Sequence, residues 1–213
     1  MVLGFIDTGI DYTHPDFRDS LGNTRVKFIW DHLLPIAPNT PQPYNYGQEF
    51  TEADINTELQ GGAATGHLDT DGHGTHVTGI GAGNGKATGN YMGVAPKADI
   101  ISVKVDLNSN DDVFLSAVYD AVDYIYNKAD LLGEPCSINI SLGTYFGSHD
   151  GKDLSTQLIN NLITAHNGRS LSCAAGNIGG YPFHVHSNAV VGDTTFTWNA
   201  GDYFEVWGGY CKF

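Results

Sequence analysis

Val2-Leu3-Gly4-Phe5-Ile6-Asp7-Thr8-Gly9 is a short apolar run that ends abruptly on a carboxylate and a glycine. An unbroken run of this length is the pattern of a strand covered on both faces, as in a parallel sheet. Residues 99–105 (DIISVKV), 136–142 (CSINISL) and 169–175 (RSLSCAA) have similar length and character. Helical patterns separate them. Residues 111–132 place Val113, Ala117, Ala121 and Ile125 at four-residue spacing behind an N-cap at Asn110 or Asp111, and Gly133 with Pro135 ends the pattern. Residues 153–166 repeat it with Leu154, Leu158, Leu162 and Ala165. This alternation predicts βαβ units and a three-layer, doubly wound α/β fold with a mostly parallel sheet.

Two segments break the rhythm. Residues 31–70 hold four of the eight prolines, then a helix over 51–59 whose Thr51 and Asp54 have capping-box spacing. This stretch is expected to be a surface insertion. From about Phe183 onward, residues such as Thr194 to Trp198 and Tyr203 to Trp207 alternate polar and apolar side chains, as antiparallel strands do. The expected division is therefore an α/β domain over 1–182 and the start of a β-rich insertion over 183–213.

A chain of 213 residues is long enough for one well-formed core. Acidic residues outnumber basic ones 24 to 10, giving a net charge of −14. Nucleic acids and anionic membrane surfaces call for clustered Lys and Arg, so neither is an expected partner. No stretch reaches the roughly 20 apolar residues of a membrane span. Three cysteines, Cys136, Cys173 and Cys211, make neither a disulfide framework nor a metal spacing, and Cys136 and Cys173 are expected as small buried hydrophobes.

Ligands of open α/β sheets bind beyond the carboxyl ends of the strands. Asp7 follows the first run, Ser141-Leu142-Gly143 ends the third and Asn177 lies just past the fourth. Between the first two runs, Asp71-Gly72-His73-Gly74-Thr75-His76 opens a glycine-rich helix expected over 73–83. Carboxylate, imidazole and amide are the groups that orient a base, remove a nucleophile's proton and stabilise an oxyanion. Imidazole suits the base because its ordinary pKa, about 6.5, leaves it able to accept a proton at neutral pH. His73 is assigned that role, and His76, three residues on, that of a hydrogen-bonded packing residue. Asp69, Asp71, His73 and His76 lack the spacing of a calcium loop or a zinc helix. His184 and His186 share one strand face without further ligands.

In order and context, the Asp7, His73 and Asn177 blocks resemble those of the subtilisin-like serine proteases. Gly93-Val94-Ala95-Pro96, Ile10-Asp11 and His14-Pro15-Asp16 extend the likeness, which covers residues 1 to about 182. The resemblance implies a serine endopeptidase in which Asp7 orients His73, Asn177 serves the oxyanion hole, and Ser141, Leu142 and Gly143 hold an extended polypeptide substrate. It implies no catalytic cofactor. Structural calcium occurs in the family and Asp16 matches one ligand position, but residues 84–92 offer few carboxylates. A secreted or cell-surface location also goes with the family. The Gly-Thr-Ser-x-Pro-type block that carries the nucleophile is not in the 213 residues, so the sequence is expected to be a truncated catalytic domain, inactive by itself. The alternative is a pseudoprotease with a binding or regulatory role. The 31–70 segment and the tail resemble features of larger bacterial members, including clostridial spore germination proteases.

Overall fold

A computed structural model describes residues 1–144, 149–177 and 179. Among these residues six strands form one sheet: β1 (Val2–Asp7), β2 (Val26–Asp31), β3 (Gln48–Thr51), β4 (Asp99–Lys104), β5 (Cys136–Ile140) and β6 (Arg169–Cys173). Their order is β3-β2-β4-β1-β5-β6. All neighbours pair in parallel except β2 and β3, which are antiparallel. The four sequence-derived strands are all present. β2 and β3 are additions that the apolar-run pattern does not reveal.

Among the described residues four α-helices accompany the sheet: α1 (Glu52–Leu59), α2 (His73–Ala82), α3 (Asp111–Leu132) and α4 (Leu154–Thr164). Their starts are written in local chemistry. The Thr51 hydroxyl and the Asp54 carboxylate form a reciprocal capping box at α1. Asn110 accepts from the Val113 N–H at α3, and Asp153 accepts from the Thr156 N–H at α4. Gly133, with φ of 69°, ends α3 in the left-handed conformation that glycine adopts without a steric penalty.

Alternation along β1 divides the core into two layers. Val2 and Ile6 join Val118, Ala121, Val122, Ile125 and Ala129 of α3 on one face, where Ile159, Leu162 and Ile163 of α4 also pack. Leu3 and Phe5 point the other way, into a cluster with Ile55 and Leu59 of α1 and Val77 and Ala82 of α2. The result is a helix–sheet–helix sandwich. Asp7 continues the odd-numbered face of β1 and thus emerges on the α2 side.

The segment 31–70 does not lie wholly on the surface. It supplies β3 to the sheet and buries Asp31, Phe50, Ile55 and His67. Its aromatic residues are drawn inward as well. Tyr44 and Tyr46 lie against Trp30 at centroid distances of 4.7 and 5.0 Å, and their hydroxyls donate to Asp123 and Asp120 of α3. Cys136 is buried as expected, but Cys173 is exposed at the end of β6, the outermost strand among the described residues. The expected β-rich segment 183–213, Cys211 and the His184–His186 pair lie outside the described residues. Among the described residues, no helix is long and apolar enough to cross a membrane.

Candidate active site

β1 carries Asp7 to the carboxyl edge of the sheet, and the chain then turns through Thr8 and Gly9. The Asp7 side chain is 1% exposed, whereas that of His73 is 44% exposed. His73 Nδ1 lies 2.7 Å from Asp7 Oδ1, which also accepts the Thr8 N–H at 2.8 Å. The buried carboxylate therefore receives the Nδ1 proton, and Nε2 on the far edge of the ring is left for chemistry at the open side. The hydrogen bond to Asp7 raises the pKa of His73 above the ordinary histidine value. Slight burial opposes the rise, while the charges of Asp7, Asp71 and Asp69 add to it.

The contact between the two blocks requires α2 to sit almost on the backbone of the Asp7 loop. A Cβ at Gly74 would fall 2.2 Å from the Gly9 carbonyl oxygen and 3.1 Å from the Asp7 Cβ, so only glycine permits this approach. Thr8 and Asp69 fix the approach from the side. Thr8 Oγ1 accepts the Gly74 N–H at 2.8 Å and donates to Asp69 Oδ1 at 2.9 Å. Asp69 also accepts from the Gly72 N–H, the Thr75 N–H and the Thr75 hydroxyl. Gly72 has no side chain to cap α2, and Asp69 takes over that function from outside the helix. Desolvation alone would raise the pKa of Asp69, but its hydrogen bonds from Thr75, Gly72 and Thr8 leave it lowered overall. Thr75 Oγ1 in turn accepts the Asp11 N–H at 2.8 Å, tying α2 once more to the loop.

The remaining sequence-derived residues lie along the same edge of the sheet. Ile6, Ile140 and Cys173 are in register across β1, β5 and β6. Ser141, Leu142 and Gly143 therefore leave β5, and Asn177 follows β6, on the edge where Asp7 leaves β1. The Ser141 hydroxyl accepts from the Asn139 side-chain amide at 2.9 Å, Leu142 packs partly on the core, and Gly143 and Asn177 are exposed. His76 departs from expectation: it is exposed on α2 and is not a packing residue. The helical spacing gave its face correctly, but no element among the described residues covers that part of α2.

Sequence reasoning missed Thr8, Asp69 and Thr75 as a connected group, and it missed the buried pair Asp31–His67. The signal for the first group was present: two threonines and an aspartate lie among glycines, where hydroxyls and carboxylates replace backbone partners. At the position suggestive of calcium, Asp16 Oδ1 accepts the Ala87 N–H at 2.7 Å, and Lys86 Nζ lies 2.8 Å from the Asp19 carbonyl oxygen. Among the described residues there is no cluster of three or more His, Cys, Asp or Glu side chains that could hold a metal ion.

The fold is therefore α/β, a mostly parallel sheet with a buried Asp7 and an open His73 side by side at its carboxyl edge. The chain belongs to the subtilase family, whose peptidase S8 model matches residues 1–200. It is 30% identical over 178 residues to the major intracellular serine protease of Bacillus subtilis, covering 83% of this chain and 43% of that protein. It is 33% identical over 148 residues to the subtilisin-like protease SBT2.2 of Arabidopsis thaliana, covering 58% of this chain and 16% of that one. The solved structure of the Clostridium perfringens CspB protease superposes with a TM-score of 0.70 at 32% identity, over 83% of this chain and 35% of that chain. The chain thus spans less than half the length of each of these proteins.

Proposed function

We propose that this chain supplies the acid–base half of a serine endopeptidase site acting on polypeptides. The observation that carries the reading is the 2.7 Å contact between buried Asp7 and open His73 at the carboxyl edge of the sheet. In this reading His73 Nε2 takes the proton of a serine hydroxyl as it attacks the peptide carbonyl. It then returns that proton to the leaving amine, while Asp7 holds the ring and stabilises imidazolium. Asn177 donates its side-chain N–H to the developing oxyanion, a contribution of roughly 10²–10³ in rate, a figure that comes from subtilisin. Ser141, Leu142 and Gly143 present backbone to an extended substrate, which selects strand-like peptides with little regard to sequence.

In this reading the nucleophile is a serine that these 213 residues, which contain no Gly-Thr-Ser block, do not supply. The chemistry needs no metal. The loop after α2 is stitched to the Asp16–Asp19 turn by Lys86 and by the Ala87 N–H. One relative carries the name of an intracellular protease, so family membership alone does not assign the secreted or cell-surface location.

A fluorophosphonate probe tests the reading. The purified chain is expected to remain unlabelled, and labelling at one of its own serines overturns the assignment. In a longer protein carrying the serine block, His73→Ala is expected to cost about 10⁶ in turnover, the scale found for subtilisin. A longer protein whose remaining sequence has no such serine would instead make this a binding scaffold.

A further inference from the structure

A second aspartate–histidine pair lies behind the first. Asp31 ends β2 and His67 lies between α1 and α2. Their side chains are 3% and 0% exposed, with His67 Nδ1 2.7 Å from Asp31 Oδ2. No substrate reaches an imidazole so deeply buried, and the ring makes its other contact with the backbone. The Ile10 N–H donates to His67 Nε2 at 3.2 Å. Nε2 can accept only with its lone pair free, so the ring proton is on Nδ1, facing Asp31. Asp31 is itself held, because its Oδ1 accepts the Leu33 N–H at 3.0 Å.

The ring also packs closely against the loop that follows Asp7. Gly9 has φ of 120°, and a Cβ there would lie 3.1 Å from His67 Cε1. The Gly9 carbonyl is in turn the surface on which Gly74 seats α2. A continuous line of contacts runs from Asp31 to His67, to Gly9 and Ile10, and from there to α2 and His73. Next to this line, Lys104 Nζ donates to the Leu68 carbonyl at 2.7 Å and fixes the residue after His67.

We infer that His67, oriented by Asp31, is a positioning residue that holds the Asp7–Ile10 loop in the register at which Asp7 meets His73. The inference deepens the proposed function and rests on the Asp7–His73 pair having the role assigned there. Its action is through a single acceptor atom. An apolar residue of similar bulk should fill the space yet lose the effect, and a side chain with an oxygen near the Nε2 position should recover it.

The experiment uses the chain itself and needs no peptidase activity. The ring titration of His73 and the exchange rate of the Ile10 amide are followed by NMR in the unaltered chain, in His67→Leu and in His67→Gln. In His67→Leu, His73 is expected to titrate lower, toward the ordinary histidine range, and the Ile10 amide to exchange about tenfold faster. His67→Gln is expected to restore both. If the leucine variant loses thermal stability while His73 titrates as in the unaltered chain, His67 is only a core residue and the inference fails. It fails equally if glutamine behaves like leucine.

Asp31→Asn gives the decision if the leucine variant does not fold. Loss of the carboxylate frees the ring to place its proton on Nε2, facing the Ile10 N–H, and the His73 midpoint is expected to fall. An unchanged midpoint overturns the inference. A His73 that already titrates in the ordinary range in the unaltered chain would sink the proposed function, and this inference with it.

Discussion

Asp7 and His73 are 66 residues apart in the chain, yet the carboxylate oxygen and the ring nitrogen meet at 2.7 Å. One partner is rigid and buried at the end of a central strand. The other is open at the first residue of a short helix. This asymmetry is what a base needs, because the ring must be held on one edge and reachable on the other.

The pH behaviour of His73 follows from that contact. The folded pKa is raised chiefly by the hydrogen bond to Asp7, so the neutral ring, the form the proposed base requires, appears at a pH above the ordinary histidine range. In Asp7→Asn the titration midpoint is expected to fall back, as measured by ring proton shifts. A midpoint unaffected by that substitution would disprove the coupling.

Asp69 is expected to matter beyond its own helix. It accepts from Thr8, Gly72 and Thr75, so Asp69→Ala leaves several donors unpaired and should cost about 2 kcal/mol in a urea titration. Its pKa is lowered, so its contribution is present above the unfolded carboxylate value and is lost as pH falls through the folded one. Asp69→Asn should therefore flatten the stability profile at the acid end.

Gly74→Ala isolates the close approach of α2. The added methyl would lie 2.2 Å from the Gly9 carbonyl oxygen, so the helix start must move away. Overpacking of this kind costs about 1–3 kcal/mol. The melting temperature should fall and His73 should titrate lower. An alanine variant with both values unchanged would show that the contact is slack.

His32 predicts acid sensitivity of a different origin. Its ring lies 4.0 Å from that of Trp30, neither nitrogen has a hydrogen-bond partner, and burial lowers its pKa to about 3 against the opposing pull of Asp31. The unfolded chain binds a proton near pH 6.5 that the folded chain refuses, so stability falls as pH drops from about 6.5 toward about 3. His32→Phe should reduce the slope of stability against pH in that window. An equal slope in both proteins would exclude His32 as its source.

Of the strands legible in the sequence, β1 and β4 are largely buried runs, whereas β5 and β6 carry polar residues and were legible through their length and their place between helical patterns. β2 escaped because Lys27 breaks Val26–Asp31, and β3 because Gln48–Thr51 is short, polar and at the sheet edge. Helix starts could be read where a side chain caps the helix, as at Thr51, Asn110 and Asp153. Proline content made 31–70 look superficial, but Tyr44 and Tyr46 face inward because Trp30 and α3 offer a surface that only the tertiary fold creates. Asp7 and His73 were legible through their glycine settings. The Asp31–His67 pair was not, since neither residue lies in a motif and 36 positions separate them.

The central place of β1 has a consequence for how this site can vary. β1 is bonded to β4 on one side and β5 on the other, so moving Asp7 would tear two ladders at once. Adjustment is therefore confined to the helix that carries the imidazole and to the loops that seat it. Directed evolution of the Asp7–His73 pair should accumulate its useful changes there and leave the strand untouched.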